Sequence, residues 1–173
     1  MDKSTQDVTV VRDLAKRLAE IAAMPVQQAR VREWTRHNDL VPGRPLLYIS
    51  PEGAWRELIP EATLVCTDPG MRRIEFGLKQ FLYEHERLND DVPVLPEWTV
   101  RKAIHHSDWG LEAQRVDSTE AHGAWAFDPV LKDRSDLAKL RVPEVWHDEA
   151  ETRRRIEFAG ELFDGILDLR VKG

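Results

Sequence analysis

The stretch that most constrains this chain is Pro45-Leu46-Leu47-Tyr48-Ile49, an apolar run halted by Ser50-Pro51-Glu52-Gly53. Five apolar residues in a row, closed by proline and glycine, predict a buried strand delivering a polar loop. A short helical phrase over 54–59 follows. In α/β folds such strand-end loops hold ligands, although a plain core strand with a surface turn has the same pattern.

Around this stretch the helices are legible by period. Over residues 8–23, Val11, Leu14, Ala15, Leu18, Ile21 and Ala22 recur on one face and charges cover the rest. Pro25 stops that helix and suits the first turn of the next, predicted over 26–38 with an arginine-rich face. Asp68-Pro69 is an N-cap followed by proline at the first helical position. The helix it starts runs to about 88, with Ile74, Leu78, Phe81, Leu82 and His85 on the inner face. Asn89-Asp90-Asp91 closes it as a polar turn. A core shared by Leu46, Tyr48, Leu78, Phe81 and Leu82 follows from this reading.

Residues 61–66 and 92–96 are extended by composition, and 99–104 is a further candidate strand. Residues 105–125 are irregular, an excursion carrying three histidines and two tryptophans. Short helical turns are expected after Asp128-Pro129 and over 135–140. Asp148-Glu149-Ala150-Glu151 has the form of a capping box opening a last helix, which Gly165 ends. Residues 166–171 alternate as a strand. No repeat or interdomain linker is visible, so the expectation is one domain: an N-terminal helical segment over 1–42 and an α/β part over 43–173.

Composition narrows the function classes. Charged residues make up 32% of the chain and hydrophobic ones 42%, a globular balance. The net charge of −6 argues against a nucleic-acid partner. No apolar stretch approaches the roughly 20 residues of a membrane span. With no secretory signal visible at the N-terminus and Cys66 the single cysteine, the expected compartment is the cytoplasm and no disulfide framework forms.

Three constellations carry chemistry. His105, His106, Asp108 and His122 offer metal-ligand atoms, but adjacent histidines on a strand point to opposite faces and no ligand signature is matched; no metal is expected. Glu52 and Glu97 each follow an apolar run. If both runs are parallel strands, the two acids lie at one end of the sheet, with Trp55 and Trp98 as apolar walls, and could divide acid and base roles. Two solvated loop glutamates are the alternative. Cys66 precedes the helix start at Asp68, where a thiolate would gain from the helix dipole, whereas a buried cysteine would be inert. No glycine-rich phosphate loop, GxSxG elbow or HExxH is present.

Three segments in order, RVREWTRHNDLVPGRPLLYISPEGAWRELIP, CTDPGMRRIEFGLKQFLYEHERLNDDVPVLPEW and LAKLRVPEVWHDEAETRRRIEFAGELFDGILDLRVKG, resemble the N-terminal part of uroporphyrinogen decarboxylase-like proteins. That superfamily includes the haem-pathway decarboxylase and corrinoid-linked methyltransferases. The resemblance implies an α/β fold, with N-terminal helices followed by the first part of a (β/α)8 barrel, incomplete at this length. Residues 46–49 would be an early barrel strand and 166–171 a later one. It also implies a homodimer or a partner chain completing the fold, a small-molecule substrate and, in the methyltransferase branch, a corrinoid partner.

The chain departs from the decarboxylase pattern. The loop matching its arginine-rich, carboxylate-holding segment is Ser50-Pro51-Glu52-Gly53, with Arg56 on the following helix. Glu97 stands nearest to its aspartate. The zinc ligands of the methyltransferase branch, a histidine-cysteine motif and a later cysteine, have no counterpart, so zinc is not expected in this chain. The implied reaction is methyl transfer or a related one-carbon step, ahead of porphyrinogen decarboxylation. Glu52, Trp55, Glu97 and Trp98 are the expected pocket residues, with His105 and His106 as further candidates for it. The other reading is a small non-catalytic binding or assembly domain that uses residues 98–125, with Trp98, Trp109 and Trp125.

Overall fold

The computed structural model describes residues 4–112, 114–120 and 123–173. The chain falls into two compact units, Met1–Val100 with Arg154–Lys172, and Arg101–Arg153 with Gly173. The divides fall after Val100 and, inside the last helix, after Arg153.

The first unit is built on helices. Helix α1 (Thr5–Ala22) begins where the Ser4 side chain accepts the Asp7 amide, and it buries Val11, Ala15, Leu18, Ile21 and Ala22, the expected stripe. Pro25 opens α2 (Pro25–Asn38), which buries only Gln27. After a single turn, α3 (Trp55–Leu58), comes α4 (Pro69–Tyr83). Its N-cap is Asp68, whose carboxylate accepts the amides of Gly70 and Met71 at 2.8 and 2.9 Å. Helix α5 (Glu149–Phe163) contributes Ala159, Leu162 and Phe163 to a core with Leu78, Leu82, Val94, Val100 and Leu167. Strands β1 (Glu97–Arg101) and β6 (Asp168–Lys172) pair as a two-stranded sheet.

Two buried carboxylates fasten the loop before α4. Glu75, with no exposed surface, accepts the amides of Val65 and Cys66 and pairs with Lys79 at 2.7 Å. Asp7 accepts the amides of Thr67 and Asp68. These side chains give the loop backbone the partners that a sheet would otherwise supply.

The second unit holds two antiparallel ribbons, β2 (Ala103–His106) with β5 (Val145–Asp148) and β3 (Gln114–Val116) with β4 (Ala126–Asp128). Gly110 sits at φ +82°, and a Cβ there would meet the Lys139 carbonyl oxygen at 2.6 Å, so only glycine fits. Little of this unit is buried beyond Ala103, Asp136 and Thr152.

The α/β class stands, with sheets of two strands only among the described residues. The expected strand over 46–49 is a correction. That segment is extended but belongs to no sheet, and Leu47 and Tyr48 are 54% and 63% exposed. Its ladder partners are instead the turn acids: Asp91 N–H donates to the Leu47 carbonyl at 2.9 Å, and Asp91 and Asp90 accept the amides of Leu47 and Ile49. The expected common core is corrected with it. Leu78 and Leu82 are buried, while Tyr48 and Phe81 lie on the surface. The irregular excursion contains β3, no helical turn begins at Asp128-Pro129, and the turn expected over 135–140 is the 3-10 turn Arg134–Lys139.

Candidate functional site

Helix α4 does not end cleanly. Its last turn widens into a π turn, Glu84–Leu88, and Asn89 stops it in the left-handed region at φ 48°. Single π turns inside helices recur at functional sites. Asp90 and Asp91 then reverse the chain. Asp91 is gripped on both oxygens by Arg44, at 2.8 and 2.6 Å, and its carbonyl accepts the indole N–H of Trp34. The Arg44 guanidinium and the Leu47 amide hold the Asp91 carboxyl well below the usual carboxylate range.

The reversal sends residues 92–95 back along the π turn, where prolines and a buried side chain keep them extended. Gln27 Oε1 accepts the Val94 amide at 2.9 Å. That fixes the amide's orientation, so its Nε2 donates to His85 Nδ1 at 3.2 Å and the His85 proton sits on Nε2.

Between these parts lies a cleft of about 190 Å³. Leu18, Phe81, Val92, Pro93, Val94 and Leu95 give it apolar walls, and Glu84, His85, Glu97, Thr99 and Lys172 supply its polar groups. Glu97 is held by Arg170 at 2.8 Å. Glu84 is half-buried, and its carboxylate meets neither a hydrogen-bond donor nor a cation among the described residues. Burial, and then repulsion from Asp90, push its pKa up. The cleft thus combines an apolar body, an imidazole with a fixed tautomer and one uncompensated carboxylate, which suits binding of a small polar-headed molecule.

Of the residues expected from sequence, only Glu97 lines this cleft. Glu52 is exposed on a single turn, Glu52–Ala54, at φ 47°, and does not reach it. The premise that brought the two acids together, a pair of parallel strands, fails because neither 46–49 nor 92–95 belongs to a sheet. Trp55 stands edge-on to Tyr83 at 5.8 Å. Trp98 packs on Phe163 at 5.1 Å and covers Gly77.

His105 and His106 lie exposed on β2 of the second unit. His105 stacks on Trp146 at 5.6 Å, and His106 Nδ1 lies 3.2 Å from the Ser107 carbonyl. His122 lies outside the described residues. Among the described residues no three histidine, cysteine or acidic side chains converge as a metal set. Cys66 is fully buried, and burial, with Glu75 beside it, pushes its thiol up to about 12, so it is no nucleophile.

Sequence reasoning missed Glu84 and Gln27. Glu84 sits in a run of charged residues, Glu84-His85-Glu86-Arg87, that reads as an exposed helix end. No local signal marks Gln27 as buried, since its partners lie 58 and 67 residues away. No known protein family, curated protein or solved structure matches this chain.

Proposed function

We propose that this chain is the N-terminal part of a uroporphyrinogen decarboxylase-like enzyme that carries out methyl transfer, or a related one-carbon step, on a small substrate. The order and spacing of its three segments support membership. The size of the cleft carries the choice of reaction. About 190 Å³ falls below the roughly 300–1,000 Å³ of pockets for drug-sized ligands, and a tetrapyrrole is larger still. The lining has no arginine to hold a ring of carboxylates. Two experiments test the reading. A reading frame continuing past Gly173 into a histidine-cysteine motif and a later cysteine is the expected result, and a stop codon there would count against it. Uroporphyrin, with its many carboxylates, is expected not to bind; saturable binding would restore the decarboxylase alternative.

One observation favours a second reading, a partner-binding or assembly module. In the second unit Trp109, Trp125, Phe127 and Trp146 are each about half exposed or more, the lowest being Trp125 at 46%. Exposed aromatic side chains grouped in one small unit are a feature of interaction surfaces. No helix among the described residues is long and apolar enough to cross a membrane.

A further inference from the structure

The Glu84 carboxylate is the one acid lining the cleft without a partner among the described residues. Glu97 has Arg170, His85 has Gln27, and Asp90 spends its oxygens on the amides of Ile49 and Val92. Glu84 has no such partner among the described residues, although it is half-buried beside apolar walls. A carboxylate so placed is stabilised by a cation entering with the ligand, since water is partly excluded and Asp90 repels it. Lys172 also lines the cleft, but the influences on Glu84 are burial and Asp90, neither of them attractive.

We propose that the cleft binds a short aliphatic primary ammonium ion, its charged head on Glu84 and its alkyl chain against Leu18, Phe81, Val92 and Leu95. The volume suits the size. At roughly 30 Å³ for each water-sized group, 190 Å³ holds about six heavy atoms. Phe81, which also lines the cleft, offers a ring for a second, weaker attraction to a cation. The His85 Nε2 proton, left free by the Gln27 contact, offers a donor to a hydroxyl or carbonyl elsewhere on the ligand.

This names the charge class of ligand for the cleft on which the functional reading leans. Its test involves no methyl transfer, so either can fail while the other stands. The probes are n-butylammonium, 1-butanol and butyrate at matched ionic strength, titrated into the whole chain. Methyl resonances of Leu18, Val92, Val94 and Leu95 report binding. Saturable shifts with butylammonium, and an affinity about tenfold or more above butanol, are expected; that ratio corresponds to about 1.4 kcal/mol. In Glu84→Gln, which keeps the shape and removes the charge, the two probes should bind within about threefold of each other. The proposal is overturned if butylammonium fails to saturate, if butanol binds as well to the unaltered chain, if butyrate binds best, or if the preference survives in Glu84→Gln. The comparison of probes on the unaltered chain does not depend on the variant folding.

Discussion

At the scale of single residues, three side chains have expected behaviours of opposite kinds. Cys66 is buried with its thiol pushed up to about 12, so the native protein should not react with a disulfide reagent at mildly alkaline pH. One thiol should appear when the protein is unfolded, and rapid labelling of the native chain would contradict the burial. Glu75 offers its oxygens to the Val65 and Cys66 amides, and Glu75→Ala leaves those amides without a partner. The expected loss is about 1–3 kcal/mol for each amide that stays buried, measured by denaturant unfolding. Glu84 has the reverse sign. Its folded pKa lies above the ordinary 4.5, so ionisation is less favourable in the native state than in the unfolded one and costs stability. Glu84→Gln should therefore be more stable than the unaltered chain at neutral pH, with the difference fading near pH 4. A variant less stable at neutral pH would refute this assignment.

At the scale of elements, α4 carries the clearest contrast. Leu78 has no exposed surface, whereas Phe81, three residues on, is 43% exposed. Leu78→Ala should cost about 2–5 kcal/mol, the range for an aliphatic side chain removed from a packed core. Phe81→Ala should cost distinctly less, because water already reaches much of the ring. Equal losses in thermal unfolding would mean that the helix is rotated from the face described. Position 81 also shows how far periodicity reaches: it belongs to the stripe by spacing, yet its ring is 43% exposed and lines the cleft.

At the scale of the whole molecule, acids dominate the pH response. Asp7, Glu75, Asp91 and Asp133 are held below their ordinary values by hydrogen bonds and cations, and Asp136 is lowered to about 2, chiefly by Lys139. Each contributes stability that is present above the unfolded pKa near 4 and is lost as pH falls through the lower folded value. Their contribution should be level from neutrality to about pH 5 and fall steadily below about pH 4; a midpoint insensitive to acid would exclude these networks. The exposed Trp109, Trp125, Phe127 and Trp146 predict association. Sedimentation should show mass rising with concentration, and Phe127→Ser with Trp146→Ser should reduce it. A monomer at all concentrations would remove the argument for an assembly surface.

What the sequence determined by itself is local. Helix α1 and the cap at Asp68 could be read because their hydrogen bonds, or the side chains that replace them, lie within a few residues. What the tertiary structure alone decided is pairing over distance. Residues 46–49 have the composition of a strand, yet their backbone is met by Asp90 and Asp91, more than 40 residues on, and no strand lies beside them. Glu75 and Asp7 look like surface charges and are buried, because amides elsewhere in the chain satisfy them. Glu84 lines a cleft whose walls Gln27 ties together, bonding both His85 and the Val94 amide from a distant helix. A period reports which face of an element is apolar; which distant donor meets a given carboxylate depends on the packed chain, and that choice made the candidate site.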